Sequence, residues 1–210
     1  MALKVREMWL TPGPQPNGLQ AAADGLWVID QKDNKVYKLA YQDGSVLLAT
    51  PETPARHSSG ITLDDAGGVW VSSTWTYEVM KIDLKTGEPM ARFPTPGAPK
   101  GGAHGLEWLN GELWLNVPVQ REIYRMDPKN GQILGAIPAP GVRSHGMAWE
   151  NGMLWCVDTT DKAVYRLDPK DGRILEQIEC AAPDPHGMTI HRGEMWLCDA
   201  RTCQVFVLER

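Results

Sequence analysis

Three histidines recur at even spacing in the second half of the chain and carry its clearest chemical signal. His104, His145 and His186 stand about 41 residues apart, and each is followed by glycine. Neutral imidazole is a good ligand for divalent transition metals, and three imidazoles leave a coordination position open for substrate or water. If the fold brings them together, the sequence predicts a three-histidine site for zinc, iron, manganese or nickel.

A structural interpretation competes with the metal site. The His-Gly step could simply be how this repeat turns into a strand, with the ring bonded to a nearby carbonyl. Duplication would then have copied the histidine without any selection for chemistry. The sequence leaves both interpretations open.

Other side chains are candidates for catalysis or substrate binding. His145 could act as a general base near neutral pH. Acidic groups able to orient the rings or move protons are Asp158, Asp199 and Glu107, although Glu107 could instead pair with an arginine. Residues predicted to bind substrate, two of them as clamps for an anionic group, are Arg143, Arg201, Trp75, Tyr77 and Asn17.

The histidines belong to a longer repeat marked by five tryptophans. These fall about 42 residues apart and are predicted to fill the core: Trp27, Trp70, Trp114, Trp155 and Trp196. The last three copies read HGLEWLNGELWL, HGMAWENGMLWC and HGMTIHRGEMWL. In the first two copies the histidine is replaced by Asn17 and Ser59.

Each repeat contains four short apolar or alternating segments separated by turn signals such as DPKNGQ and DPKDGR. Alternation at period two indicates half-buried strands, and Asn-Gly or Asp-Gly between them indicates tight hairpins. Four strands in about 42 residues are typical of a propeller blade. We therefore predict an all-β, five-bladed propeller that occupies residues 1–210 as one domain. The N-terminal strand, LKVREMWLTPG, should complete the last blade.

Composition excludes several classes of protein. The net charge of −5 and the isoelectric point near 5.5 argue against nucleic-acid binding. No apolar run is long enough to span a membrane or to act as a signal peptide, so we expect a cytoplasmic protein without a membrane partner. The four cysteines are expected to be reduced and mostly buried.

The blades resemble those of the virginiamycin B lyase (streptogramin lyase) family. The resemblance is carried by PHGMTIHRGEMWLCD, SGITLDDAGGVWVSS and the KIDLKTG ending. It implies elimination across an ester by a channel-mouth histidine and a divalent metal. Those lyases have seven blades, and their Trp-Phe-Thr-Glu ending reads WVID, WCVD and WLCD here, so Asp158 and Asp199 are only analogues of its glutamate.

A second, local resemblance is to the five-bladed glutaminyl cyclases. HGLEWLNGELWLNV is similar to their Asn-Glu-Leu-Glu-Trp blade, with Glu107 and Trp108 in place. Their Phe-Thr-Gln-Gly-Leu opening is QPNGLQ here, and their Asn-Glu pair is His104-Gly105.

The leading hypothesis is a small-molecule enzyme, with a metal-assisted lyase or hydrolase site at the channel mouth. The alternatives are a glutamine cyclotransferase centred on Glu107 and Trp75, and a ligand-binding propeller without catalysis. The sequence leaves the substrate and the oligomeric state open.

Overall fold

The computed structural model describes residues 4–209 and is built almost entirely of β-strands, which confirms the predicted fold class. The first three blades hold the strands that follow in chain order after the N-terminal one: β2 (Pro16–Ala22), β3 (Gly25–Asp30), β4 (Val36–Leu39), β5 (Val46–Ala49); β6 (Ser58–Leu63), β7 (Val69–Ser73), β8 (Glu78–Ile82), β9 (Pro89–Pro94); β10 (Leu106–Leu109), β11 (Glu112–Val117), β12 (Glu122–Met126), β13 (Ile133–Pro138). The last two blades hold β14 (Ser144–Glu150), β15 (Met153–Asp158), β16 (Ala163–Leu167), β17 (Ile174–Glu179); β18 (Pro185–His191), β19 (Glu194–Asp199), β20 (Gln204–Glu209) and β1 (Lys4–Leu10).

The two ends of the chain close the ring, as the repeat predicts. β1 pairs antiparallel with β20, with Val5 opposite Leu208 and Leu10 opposite Gln204. Arg6 adds ion pairs to Glu209 and Glu194. The fifth blade is therefore assembled from both termini, and β20 has no free edge.

The glycine after each histidine belongs to a ring of five glycines, one in each blade, where neighbouring blades approach too closely for a side chain. The first strands of successive blades contact one another around the channel. A Cβ on Gly105 would lie 2.0 Å from the carbonyl oxygen of His145, and one on Gly60 would lie 2.0 Å from that of His104. A Cβ on Gly18, Gly146 or Gly187 would lie 2.4–2.8 Å from the backbone of the next blade, which is also too close. Five blades can close only because this position has no side chain.

The five repeated tryptophans form the core between blades, as predicted, and all are at least nine-tenths buried. In four blades a cation from the neighbouring strand covers the indole, as Lys38 covers Trp27 and Arg166 covers Trp155. At the fifth, Trp196 contacts Trp9 and Tyr41 instead, where the terminal strand joins blade one.

None of the four cysteines forms a disulfide within residues 4–209, and Cys156, Cys180 and Cys198 are buried. No helix in this range is long and apolar enough to cross a membrane. The single helical turn described is a three-residue 3-10 segment, Pro118–Gln120.

Candidate functional site

The histidine positions lie at the channel mouth, where each first strand begins. In four blades the strand pairing shifts register at this step, as between Ser144 and Met147 in β14. Such a bulge redirects a side chain and is common beside functional sites. The residues just before the five ring glycines form the mouth ring: Asn17, Ser59, His104, His145 and His186.

The fold brings the three predicted histidines together. The ring centres of His104 and His145 are 4.6 Å apart, and those of His145 and His186 are 4.3 Å apart. The rings meet edge-on or tilted, with interplanar angles of 81° and 53°. Three imidazoles from three successive blades thus form one contiguous cluster.

Two of these rings are held by the same type of hydrogen bond. Nδ1 of His145 donates to the carbonyl oxygen of Arg143 at 2.8 Å, and Nδ1 of His186 donates to that of Asp184 at 2.9 Å. Because a carbonyl can only accept, Nδ1 carries the proton and Nε2 carries the lone pair. Thr159 reinforces this tautomer, since its hydroxyl lies 3.0 Å from Nδ1 of His145 while donating to Pro185.

Within the described chain, the Nε2 atoms of His145 and His186 have no hydrogen-bond partner. Burial lowers the pKa of all three imidazoles: to about 3 for His104, well below the usual range for His145, and below its ordinary value for His186. The neighbouring histidines add repulsion for His104 and His145. At neutral pH the cluster is uncharged and presents lone pairs.

The mouth ring also contains buried polar atoms without partners in the described residues. Asn17 is only 1% exposed, yet neither its amide oxygen nor its amide nitrogen has a hydrogen-bond partner. Nδ1 of His104 is buried and unpartnered as well. Leaving such groups unpaired costs about 1–3 kcal/mol each, which favours a ligand with complementary groups at this position.

Asp158 and Asp199 lie directly under the rim, but their carboxylates bind backbone. Asp158 accepts from the amides of Arg143 and Asp161, and Asp199 accepts from those of Asp184 and Arg201. Asp30 holds its own rim loop in the same way. Among residues 4–209 neither Asp158 nor Asp199 hydrogen-bonds an imidazole. The carboxylate beside the cluster is that of Asp184, 3.8 Å from Nδ1 of His186.

Glu107 is buried three residues along the first strand from His104. Its carboxyl accepts hydrogen bonds from the backbone amides of Trp108 and Trp149, so it links β10 to β14. No arginine in the described chain pairs with it, contrary to the ion pair considered from the sequence. Burial raises its pKa to about 8, and the group is largely protonated at neutral pH.

The predicted substrate-binding residues occupy the rim but differ in how exposed they are and in whether other residues already bind them. Arg143 is half exposed and lies 3.7 Å from Asp184, whereas Arg201 is exposed. The Tyr77 hydroxyl donates to the carbonyl of Pro99. Trp75 is 65% exposed.

His57 is a fourth histidine at the mouth, which the repeat pattern did not single out as a site residue. Its ring lies parallel to that of Trp75, with centres 4.4 Å apart and planes within 6°. Burial lowers its pKa, and His186 contributes repulsion, so His57 lies near the cluster. The missed signal was its position three residues before a ring glycine, where other blades carry Gln15, Arg143 or Asp184.

The chemistry of the three imidazoles favours a metal ion, but the spacing of their rings does not. Neutral imidazoles with free Nε2 atoms are suitable ligands. Three imidazoles on one tetrahedral zinc at roughly 2.0–2.1 Å would have ring centres about 5 Å apart, more than the distances found here. No group of three or more His, Cys, Asp or Glu side chains within residues 4–209 is arranged to hold a metal. As they stand, these residues do not fit a preformed metal centre.

The fold is shared with two kinds of enzyme. Glutaminyl cyclase from Myxococcus xanthus superposes with a TM-score of 0.80 at 12% identity, over 100% of this chain and 98% of that one. Virginiamycin B lyase from Staphylococcus aureus superposes with a TM-score of 0.59 at 17% identity, over 99% of each chain.

A histidine-to-alanine variant of that S. aureus lyase, described as catalytically inactive and solved with quinupristin, gives a TM-score of 0.59 at 18% identity. That match covers 93% of this chain and 66% of the other. No protein-family model and no curated protein matches this chain. At such identities the structural likeness shows the propeller fold alone.

Proposed function

We propose that this propeller is an enzyme acting on a small polar molecule at the channel mouth, by elimination or hydrolysis. One observation carries the proposal: the mouth ring combines the free Nε2 atoms of His145 and His186 with the unpartnered amide of Asn17. These are convergent acceptors and donors in a buried place. Such an arrangement is typical of a small-molecule site.

His186 is the best-placed general base. When Nε2 accepts a proton, the ring becomes positively charged while Nδ1 keeps its bond to the carbonyl of Asp184. The Asp184 carboxylate, 3.8 Å away, stabilises that charge. His145 has no comparable carboxylate partner in the described chain, so we assign it to orientation and move the role of base, which the sequence suggested for His145, to its neighbour.

The two reaction types differ in what His186 deprotonates. In elimination it takes a proton from substrate carbon, and the C–O bond breaks with its electron pair on the leaving oxygen. In hydrolysis it takes a proton from water, whose oxygen bonds to the carbonyl carbon. The ester C–O bond then breaks, and the leaving oxygen takes the proton back from His186. We assign the Asn17 amide and the Arg143 guanidinium to bind the resulting oxyanion.

A divalent transition metal at the cluster remains a prediction from the sequence. Binding would require the three rings to move apart and turn their Nε2 atoms toward one point. Elemental analysis of protein prepared without chelator or a histidine tag checks it. Less than about a tenth of an equivalent of zinc, iron, manganese or nickel would contradict it.

A glutamine cyclotransferase is the second candidate, and Glu107 favours it. A carboxyl that is protonated at neutral pH can donate a proton to a leaving amine. The fold shared with the M. xanthus enzyme is compatible with this role. Trp75 would then lie at the rim of the same channel.

Mass spectrometry of reaction products separates these reactions. A panel should contain cyclic esters, quinupristin among them, and peptides with N-terminal glutamine. Elimination opens a cyclic ester without change of mass, hydrolysis adds one water, and glutaminyl cyclisation releases ammonia.

For the lyase or hydrolase, His186→Ala should lower turnover at least about a hundredfold. His191→Ala is the matched control, since His191 lies at the far end of the same strand and stacks on Tyr41. Absence of turnover across the panel, or equal turnover in both variants, contradicts the proposal.

A further inference from the structure

The stacked pair His57–Trp75 stands beside the mouth ring and has no counterpart in the other blades. Trp75 occupies the turn between the second and third strands, where the other repeats have Lys32, Val119, Thr160 or Arg201. One face of its indole rests on His57 at 4.4 Å, and its side chain is 65% exposed. Single exposed hydrophobic residues are common on protein surfaces, so what distinguishes Trp75 is its stack with His57 and the backbone that carries the pair.

The backbone that carries this indole is fixed by hydrogen bonds, and the ring itself is supported on one face by His57. The backbone amide of Trp75 donates to the carbonyl of Arg56, and that of Thr74 donates to the carbonyl of His57. The indole is therefore a supported platform, and little conformational freedom is lost when a ligand stacks on it.

The backbone of His57 departs from the repeat. Nine described non-glycine residues have positive φ, and eight of them lie in turns that recur from blade to blade, such as Asn34, Tyr77 and Lys162. His57, at φ +60°, is the exception. This conformation is costly for a side chain other than glycine, and such strain concentrates at ligand sites. Here it places the imidazole flat beneath the indole.

The charges around the mouth limit the ligand. Five exposed cations on the rim loops have no ion pair among residues 4–209: Lys32, Lys100, Arg121, Lys162 and Arg201. The carboxylates of the same rim are engaged within the protein: Asp30, Asp158 and Asp199 accept from backbone amides, Asp33 and Asp161 accept from tyrosine hydroxyls, and Asp184 pairs with Arg143. The charges left free to meet a ligand at the rim are therefore mainly positive. A cationic ligand is disfavoured here, and an anionic one is attracted.

We propose that Trp75 is the specificity platform of the channel mouth and takes the aromatic ring of an anionic substrate. The ring stacks on the open face of the indole, and its anionic group faces the rim cations. The inference rests on the proposed function only in naming the substrate class, because binding at this platform requires no catalysis.

Ligand-detected NMR with three simple probes tests the platform directly. Phenylacetate has the ring and the charge, cyclohexylacetate lacks the aromatic ring, and phenethylamine reverses the charge. Phenylacetate should bind the wild-type protein most tightly, and its binding should weaken as salt is raised. Trp75→Ala should weaken it about three- to tenfold, whereas Trp75→Phe should retain most of the affinity.

Met90→Ala is the control, since Met90 is equally exposed at 67% but lies on an outer strand. Binding that is absent, equal in Trp75→Ala, or matched by cyclohexylacetate or phenethylamine overturns the inference.

The His186→Ala variant separates this inference from the proposed function. It should bind phenylacetate as the wild type does. Trp75-dependent binding with no turnover of any ester refutes the enzyme alone. Turnover with an unchanged KM for aromatic and aliphatic anionic esters in Trp75→Ala refutes the platform alone.

Discussion

At the scale of single residues, the mouth histidines combine two roles in one imidazole. One ring nitrogen belongs to the scaffold, and the other is available for chemistry. Ser59, His145 and His186 each bond the carbonyl two residues earlier, so this bond belongs to the scaffold. The single hydroxyl of Ser59 is fully used in such contacts, because it also hydrogen-bonds the hydroxyl of Thr74. Histidine uses Nδ1 and keeps Nε2 free. A structural role and a chemical role for the same histidine are therefore compatible.

Replacing His145 by alanine tests this division. The carbonyl of Arg143 loses one of its two donors and keeps the backbone amide of Thr159, and a cavity opens beside His104 and His186. We expect the free energy of unfolding to fall by about 1–3 kcal/mol, with turnover reduced as well. Chemical denaturation and product assays on the same preparation check it. Unchanged stability would show that the bond to Arg143 contributes nothing to the scaffold.

At the scale of strands and blades, the close approach of the first strands makes a sharp prediction. Gly105→Ala places a Cβ about 2.0 Å from the carbonyl of His145, so we expect a loss of about 3 kcal/mol or more. Gly135→Ala is the matched control, because nothing lies within 4 Å of its Cβ and the residue sits in outer strand β13. Equal melting temperatures for the two variants would refute the ring-closure role.

The tryptophans give a second comparison at this scale. Trp155 is 3% exposed in the packing between blades, and Trp155→Ala should cost about 3–5 kcal/mol through the cavity it leaves. Trp75→Ala removes an exposed ring and should cost less than about 1 kcal/mol. Thermal unfolding of both variants measures the difference. A smaller loss of stability for Trp155→Ala than for Trp75→Ala would mean that Trp155 is not a core residue.

The repeat predicted the elements well because each blade states the same pattern of turns and alternating strands five times. Blade number, ring closure and the buried tryptophans follow from that repetition and are confirmed. The details at the mouth were harder to predict, because Asp158 and Asp199 reach backbone amides through loop geometry that spacing does not encode. The His57–Trp75 stack depends on a single positive φ outside the repeat.

At the scale of the whole molecule, closure depends on one strand from the N-terminus. Removing residues 1–12 deletes β1 and exposes the edge of β20. We expect stability to fall by more than about 3 kcal/mol and self-association to increase, since an unpaired edge recruits other strands. Removing residues 1–3 alone, which lie outside the described residues, is the control. Melting temperature and light scattering distinguish the two outcomes.

The pH dependence of stability is a property of the whole molecule. Buried histidines and a buried carboxyl change the free energy of unfolding in opposite directions as the pH changes. The folded pKa values of the three mouth histidines lie below the ordinary 6.5, so only the unfolded chain binds their protons in mild acid. Their contribution is complete above pH 6.5 and is lost as the pH falls. Glu107 acts in the opposite direction, because its pKa rises from 4.5 to about 8 on folding. Its contribution is complete below pH 4.5 and is lost as the pH rises to about 8.

Together these terms predict maximum stability near pH 6.5, with decline on both sides. Glu107→Gln keeps an acceptor for the amides of Trp108 and Trp149 and removes the titration. Relative to this variant, the wild type should lose roughly 1.4 kcal/mol for each pH unit between 4.5 and 8. Denaturant unfolding at several pH values measures both curves. Parallel curves would mean that the pKa of Glu107 is not raised by folding. That result would also remove the main support for a cyclotransferase, because a carboxylate ionised at neutral pH has no proton to donate.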